Sequence, residues 1–280
     1  MNRVAFLSGA ASLAVAPISL KTPLTKLEAR YGGRLGVFAV NSANGARVEH
    51  RSGERFPMCS TFKVLLVGAV LSRVDSGGEH LERHVGYGNA DLLAYAPVTR
   101  AHVRLGSMTV QALCRAAVEY SDNTAANLLL RALGGPDRVT AYARTLGDSL
   151  TRLDRNEPGL NTAIPGDQRD TTTPAAMLAN LRKLLTGSVL SPSSRRELES
   201  WMIGCKTGTD CIRAGVPAHW RVGDKTGSGA HATRNDIAVL YPPGRSPIFV
   251  TAYYTASSAS EGARADILAE VGRVVSSAFA

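Results

Sequence analysis

The chain has 280 residues, 44% of them hydrophobic and 20% charged, with 27 Gly and 13 Pro. It is long and apolar enough to bury one large core or two interleaved lobes, which excludes a disordered or fibrous chain. The net charge is +9, but no run of five or six Lys/Arg appears and aromatics are only 6%, so the clustered cations and exposed aromatics of a nucleic-acid binder are missing.

The N-terminus has the pattern of an export signal. Arg3 is a short positive region, Val4 to Ala16 is apolar or small, and Ala14-Val15-Ala16 resembles a cleavage site. The alternative for this stretch is a buried N-terminal helix. Beyond it no apolar run is long enough to span a bilayer, so no stable membrane insertion is expected.

In chain order, Arg34–Val40 and Ala46–His50 alternate like strands, and Asn44-Gly45 between them is a hairpin signal. Ser60–Val74 reads as a buried helix, apolar nearly all round. Val110–Tyr120 and Thr124–Leu133 read as helices broken at Ser121-Asp122-Asn123, and Gly134-Gly135-Pro136 ends the second. Pro136–Leu146 is a further amphipathic helix. Leu153–Pro174 has little periodicity and reads as a long compact loop, a feature uncommon unless functional. Helices follow at Pro174–Leu185 and Ser191–Trp201, then β-like runs at His219–Lys225, Asn235–Tyr241 and Ile248–Tyr254, and a terminal helix at Ser260–Ala278.

The order strands, helices, strands, helix predicts an α+β fold: one antiparallel five-stranded sheet flanked by helices, with an all-helical lobe inserted. The expected division is a signal peptide at 1–20 and one catalytic domain at 21–280. An α/β lobe would take about 21–58 and 205–280, and the helical lobe about 59–204.

Ser60-Thr61-Phe62-Lys63 places a hydroxyl and an amine at i and i+3, on one helix face. A serine attacks carbonyl carbon only when something takes its proton, and a nearby amine held neutral by burial can do so. Lys225-Thr226-Gly227, inside Asp224–Gly229 between two predicted strands, offers an ammonium and a hydroxyl to a carboxylate, and its glycine permits close approach. A second such triplet, Lys206-Thr207-Gly208, follows a helix end with no strand behind it and reads as a decoy. Ser121-Asp122-Asn123 taken alone reads as a helix cap.

In this order the three elements resemble the penicillin-recognising serine enzymes, the class A β-lactamases and D,D-peptidases. Arg155-Asn156-Glu157-Pro158 with Asn161 adds a fourth, similar to the Ω loop of class A β-lactamases, and Asp170 fits that loop's closing partner for Arg155. The resemblance runs from about residue 25 to the C-terminus. It implies that Ser60 is the nucleophile and that Lys63 holds the proton network and is a candidate acylation base. Ser121 would relay a proton to the lactam nitrogen, with Lys225 supporting it. Thr226, Ser228 and Arg234 would face the substrate carboxylate, Asn123 the acylamino side chain, and Tyr95 would wall the gorge. The N–H groups of Ser60 and Ser228 would form the oxyanion hole. Glu157, with Asn161, would hold the water that cleaves the acyl-enzyme, and the Glu157–Pro158 bond would be cis.

The expected partner is a small β-lactam, with no nucleic acid, a monomeric state and a periplasmic or secreted location. No metal-ligand spacing and no Ser-His-Asp set is visible, so no metal or cofactor is expected. Rival functions are a D,D-peptidase on the same fold and a non-hydrolytic β-lactam sensor, which would be expected to carry a membrane span or signalling domain. Arg213 and Asp224 look like a structural pair, and His231 a loop residue. Cys59 and Cys114 read as buried thiols. Cys205 and Cys211 are spaced to close a small loop in an oxidising compartment. Gly229 stands where some carbapenem-hydrolysing relatives carry a cysteine paired with Cys59's counterpart.

Overall fold

The computed structural model describes residues 21–280, so the export-signal reading of 1–20 lies outside it. The chain opens with helix α1 (Lys21–Tyr31) and strands β1 (Arg34–Asn41), β2 (Arg47–His50) and β3 (Phe56–Pro57). Helix α2 (Phe62–Asp75), β4 (His84–Gly86), α3 (Pro97–His102), β5 (Ser107–Thr109), α4 (Val110–Glu119), α5 (Asn123–Leu133) and α6 (Pro136–Thr145) follow. Then come β6 (Thr171–Thr172), α7 (Pro174–Thr186), α8 (Pro192–Ile203), β7 (Arg221–Gly229), β8 (Thr233–Tyr241), β9 (Ile248–Thr255) and α9 (Glu261–Phe279).

The five-stranded sheet has the order β2-β1-β9-β8-β7, antiparallel throughout, which matches the fold class expected from sequence. The sheet is covered on both faces. Alternate residues of one strand enter different cores: Ile237, Val239, Phe249 and Tyr253 join the α2 side, while Ala238, Leu240, Val250 and Tyr254 join the α1/α9 side. This explains why β9 is buried at every position.

Helix α2 is the axis of the larger core, with Phe62 to Leu71 all buried. A helix apolar all round can only be an interior one. Gly68 makes the packing possible, because a Cβ there would stand 2.8 Å from Leu184 Cδ2. Gly134, at φ +107°, ends α5 in the left-handed region that glycine reaches without steric cost, and Pro136 starts α6.

Several elements carry no local signal. β3 pairs with β6 over only two residues, Phe56 with Thr172 and Pro57 with Thr171, and β4 pairs with β5. These ladders, α1 and α3 were not anticipated. The Lys-Thr-Gly segment also differs from expectation. It lies inside β7 rather than after a strand, in full register with β8 from Arg221↔Tyr241 to Gly229↔Thr233. The pairing of Gly227 with Asn235 overrides glycine's low strand preference. All four cysteines are buried and free, so the small loop expected from Cys205 and Cys211 is not closed by a disulfide. Cys205 Sγ faces Thr207 Oγ1, and Cys211 Sγ faces Asp210 and Arg234. No described helix is long and apolar enough to cross a membrane.

Candidate active site

Ser60 sits in a 3-10 turn, Cys59–Thr61, that feeds directly into α2, so its hydroxyl precedes the helix rather than opening it. The turn is held from three sides. Thr61 Oγ1 donates to Met58 O, and the buried Asn235 of β8 donates Nδ2 to Pro57 O and Met58 O at 2.8 and 3.1 Å. Strand β7 closes in behind it, since a Cβ on Gly227 would stand 2.8 Å from Met58 O and 3.2 Å from Ser60 N. Cys59 takes φ +45°, an unfavourable backbone for a residue with a Cβ, kept in place by these contacts.

Lys63 lies one turn on, fully buried. Its Nζ is 3.0 Å from Ser60 Oγ, 2.8 Å from Ser121 O, 3.4 Å from Ser121 Oγ, 2.6 Å from Asn123 Oδ1 and 3.0 Å from Glu157 Oε1. An ammonium has three hydrogens, so these acceptors share them and the bonds can exchange without moving the side chain. Burial pushes the Lys63 amine below its ordinary pKa, opposed by the Glu157 carboxylate beside it. A lysine so placed is poised to lose and regain a proton.

Ser121 stands between two amines, with Lys225 Nζ donating to its Oγ at 3.0 Å. Burial holds Lys225 down to about 8; the nearby Lys63 charge works in the same direction, while Cys205 and Asp224 oppose it. The capping reading of Ser121-Asp122-Asn123 holds for its middle residue only. Asp122 accepts from Ala125 N at 2.8 Å and from Val98 N and Thr99 N at 2.9 Å each, so it caps α5 and anchors α3. Ser121, at φ +57°, and Asn123 are thereby turned toward the Lys63 amine.

The long loop brings the carboxylate. Arg155 Nε donates to Asp170 Oδ2 at 2.6 Å, and Asp170 also accepts from Asp154 N and Arg155 N, which closes the loop on itself. The Glu157–Pro158 bond is cis. Glu157 Oε1 reaches within 3.3 Å of Ser60 Oγ, and Asn161 Nδ2 donates to Glu157 Oε2 at 2.5 Å. Ala230 N donates to Asn161 O, tying the loop to the β7–β8 turn.

Ser60, Tyr95, Ser121, Asn123, Asn161, Thr226, Ser228 and Arg234 line one cavity of about 370 Å³. Residues from five separate segments thus meet at the serine. Arg234 Nη1 donates to Ser228 Oγ at 2.9 Å, so β8 delivers a guanidinium beside the Lys225-Thr226 edge. A larger cavity of about 560 Å³, among Arg34, Arg155 and Arg169, contains none of these groups.

A model of the β-lactamase enzyme family matches residues 19–279. The chain belongs to the class A β-lactamases. β-Lactamase CTX-M-25 of Escherichia coli is 49% identical over 91% of this chain and 88% of its own length. β-Lactamase AST-1 of Nocardia asteroides is 50% identical over 89% and 80%. Among solved structures, the reconstructed last common ancestor of Gram-negative class A β-lactamases superposes with a TM-score of 0.92 at 60% identity, over 94% of this chain and all of that one. This β-lactamase is a hydrolase that acts on β-lactams and confers resistance to them.

Every site residue read from the sequence falls in or beside this cavity, and Arg155 and Asp170 hold the loop behind it. Four contributors were missed. Asn127 clamps the Glu157 backbone, Nδ2 to Glu157 O at 2.8 Å and Oδ1 from Glu157 N at 2.9 Å. Its one sequence signal is the i+4 spacing from Asn123. Asn235, described above, has no such signal. The Lys-Thr-Gly triplet read as a decoy is half in the site: Lys206 is exposed, but Thr207 lines the cavity, its Oγ1 2.5 Å from Thr226 Oγ1 and its carbonyl accepting from Arg234. Glu261, at the start of α9, also lines the cavity. Arg213 Nε does pair with Asp224 Oδ1 at 3.0 Å, and His231 is an exposed turn residue.

Proposed function

We propose that this β-lactamase opens the lactam ring of penicillins and cephalosporins through an ester on Ser60. The observation that carries the reading is the carboxylate of Glu157, 3.3 Å from Ser60 Oγ and 3.0 Å from Lys63 Nζ, in the same pocket as the nucleophile. In acylation, the Ser60 proton passes to neutral Lys63 or to Glu157, and Oγ adds to the lactam carbonyl carbon. The oxyanion is stabilised by the Ser60 and Ser228 N–H groups, the kind of term that dominates acyl transfer. Collapse breaks the C–N bond, and the nitrogen takes the Ser121 proton, which Lys63 or Lys225 replaces.

In deacylation, Glu157 takes a proton from water, the hydroxide adds to the ester carbonyl, and Ser60 leaves with its proton restored. Asn161 supports this step: its Nδ2 holds Glu157, and its Oδ1 is buried without a partner, free to accept from that water. Lys225, Thr226, Ser228 and Arg234 bind the substrate carboxylate, Asn123 the acylamino group, and Tyr95, half exposed, forms one wall. Ser228 is compatible with cephalosporin hydrolysis, and Ser228 with Arg234 favours recognition of clavam inhibitors.

The N-terminal Arg3 to Ala16 pattern supports export to the periplasm or medium. A nitrocefin assay on purified protein tests the central reading. Many turnovers per molecule are expected, whereas a burst of one equivalent followed by no further colour is the outcome for a D,D-peptidase or a sensor. Catalytic efficiencies on benzylpenicillin, cefotaxime and imipenem test the scope: weak imipenem turnover is expected, and equal efficiency on all three contradicts it.

A further inference from the structure

The carboxylate-binding end of the cavity carries an acid that the reaction does not use. Glu261 is the first residue of α9, exposed, and shares the lining with Thr207, Ser228 and Arg234. Its side chain makes no hydrogen bond or ion pair among the described residues, whereas the other acid nearby, Asp210, is tied to Arg234 Nη2 at 3.2 Å. Lys206 is exposed and is not part of the lining. Arg234 and an unpaired carboxylate thus line the same cavity.

We propose that Glu261 is a specificity-determining residue that selects cephalosporins bearing a positive charge on their C3 substituent. The inference rests on the cephalosporin reading above and deepens it. In a cephem the carboxylate sits on C4, and the C3 substituent leaves the adjacent ring carbon. When Lys225 and Arg234 hold that carboxylate, the C3 group is delivered to the same end of the cavity, where Glu261 stands. A cation there meets the negative charge of an exposed carboxylate, a modest and salt-sensitive attraction; a neutral group gains nothing. Penicillins carry only uncharged methyl groups on the ring carbon next to their carboxylate and are indifferent to it.

An acid at this helix position also suits the helix's own N-terminal dipole, so the test reads a ratio between two substrates rather than stability. Cephaloridine carries a C3 pyridinium, and cephalothin carries an acetoxy group with the same thienylacetamido side chain. In the unaltered enzyme the kcat/KM ratio of the first to the second should fall as salt is raised, because partly exposed charges are screened. Glu261→Gln should lower the ratio about threefold and Glu261→Lys about tenfold, with the change chiefly in KM. A ratio unmoved by salt and by both substitutions overturns the proposal while leaving cephalosporin hydrolysis standing. No turnover of cephalothin by the unaltered enzyme overturns both.

Discussion

Asn161 uses Nδ2 to hold Glu157 Oε2 at 2.5 Å and leaves Oδ1 buried and unpartnered. A buried acceptor without a donor is costly unless water fills the role. In the proposed mechanism this residue would serve the second half of the reaction, where water attacks the ester, more than the first. Asn161→Ala should slow deacylation about tenfold to a hundredfold, the worth of a hydrogen bond to a charged group. Stopped-flow traces should show acylation changed far less.

The depressed Lys225 amine predicts an alkaline limb. In the proposed mechanism the cationic form binds the substrate carboxylate, and that form is lost as pH rises through about 8. The kcat/KM for benzylpenicillin should therefore be full below this value and fall above it. Bound substrate carboxylate stabilises the cation, so the limb in kcat should lie at higher pH. Lys225→Arg keeps the charge and should remove the limb up to about pH 10, since guanidinium does not titrate in that range.

The two Lys-Thr-Gly triplets separate by substitution. Lys206→Ala removes an exposed side chain and should leave kcat/KM within about twofold. Thr207→Val removes the hydroxyl 2.5 Å from Thr226 Oγ1 and should raise KM for carboxylate-bearing substrates severalfold with kcat less affected. A Thr207→Val effect as small as that of Lys206→Ala would place the triplet outside the site.

Arg155 and Asp170 close the loop that carries Glu157. Arg155→Ala leaves a fully buried carboxylate with backbone donors alone, and should cost about 3 kcal/mol in urea unfolding. Activity should fall with it, because Glu157 loses its fixed approach to Ser60.

The sequence was most legible where chemistry is local. Ser60 with Lys63, Lys225-Thr226-Gly227 and the Arg155-to-Asn161 run each lie within a few residues, and spacing fixes their mutual orientation. The main strands were legible as β-rich runs, but their order and register were not, since even and odd residues of a strand such as β9 are both buried, in different cores. The remainder depended on pairing across long separations. β3 and β6 are two residues each and exist only because Phe56 meets Thr172. Asn127 and Asn235 act through backbone groups of distant segments, which no periodicity reports. The small loop expected from Cys205 and Cys211 failed because each thiol faces its own polar neighbours, Thr207 for one and Arg234 for the other.

The most direct measurement is mass spectrometry of Glu157→Ala mixed with benzylpenicillin, alongside the unaltered enzyme. The variant should accumulate a covalent adduct of the intact penicillin mass on Ser60 while steady-state turnover falls about a thousandfold, the contribution of a placed general base. The unaltered enzyme should turn over with no lasting adduct. A variant that turns over normally without an adduct, or an unaltered enzyme that stays permanently acylated, would contradict the account.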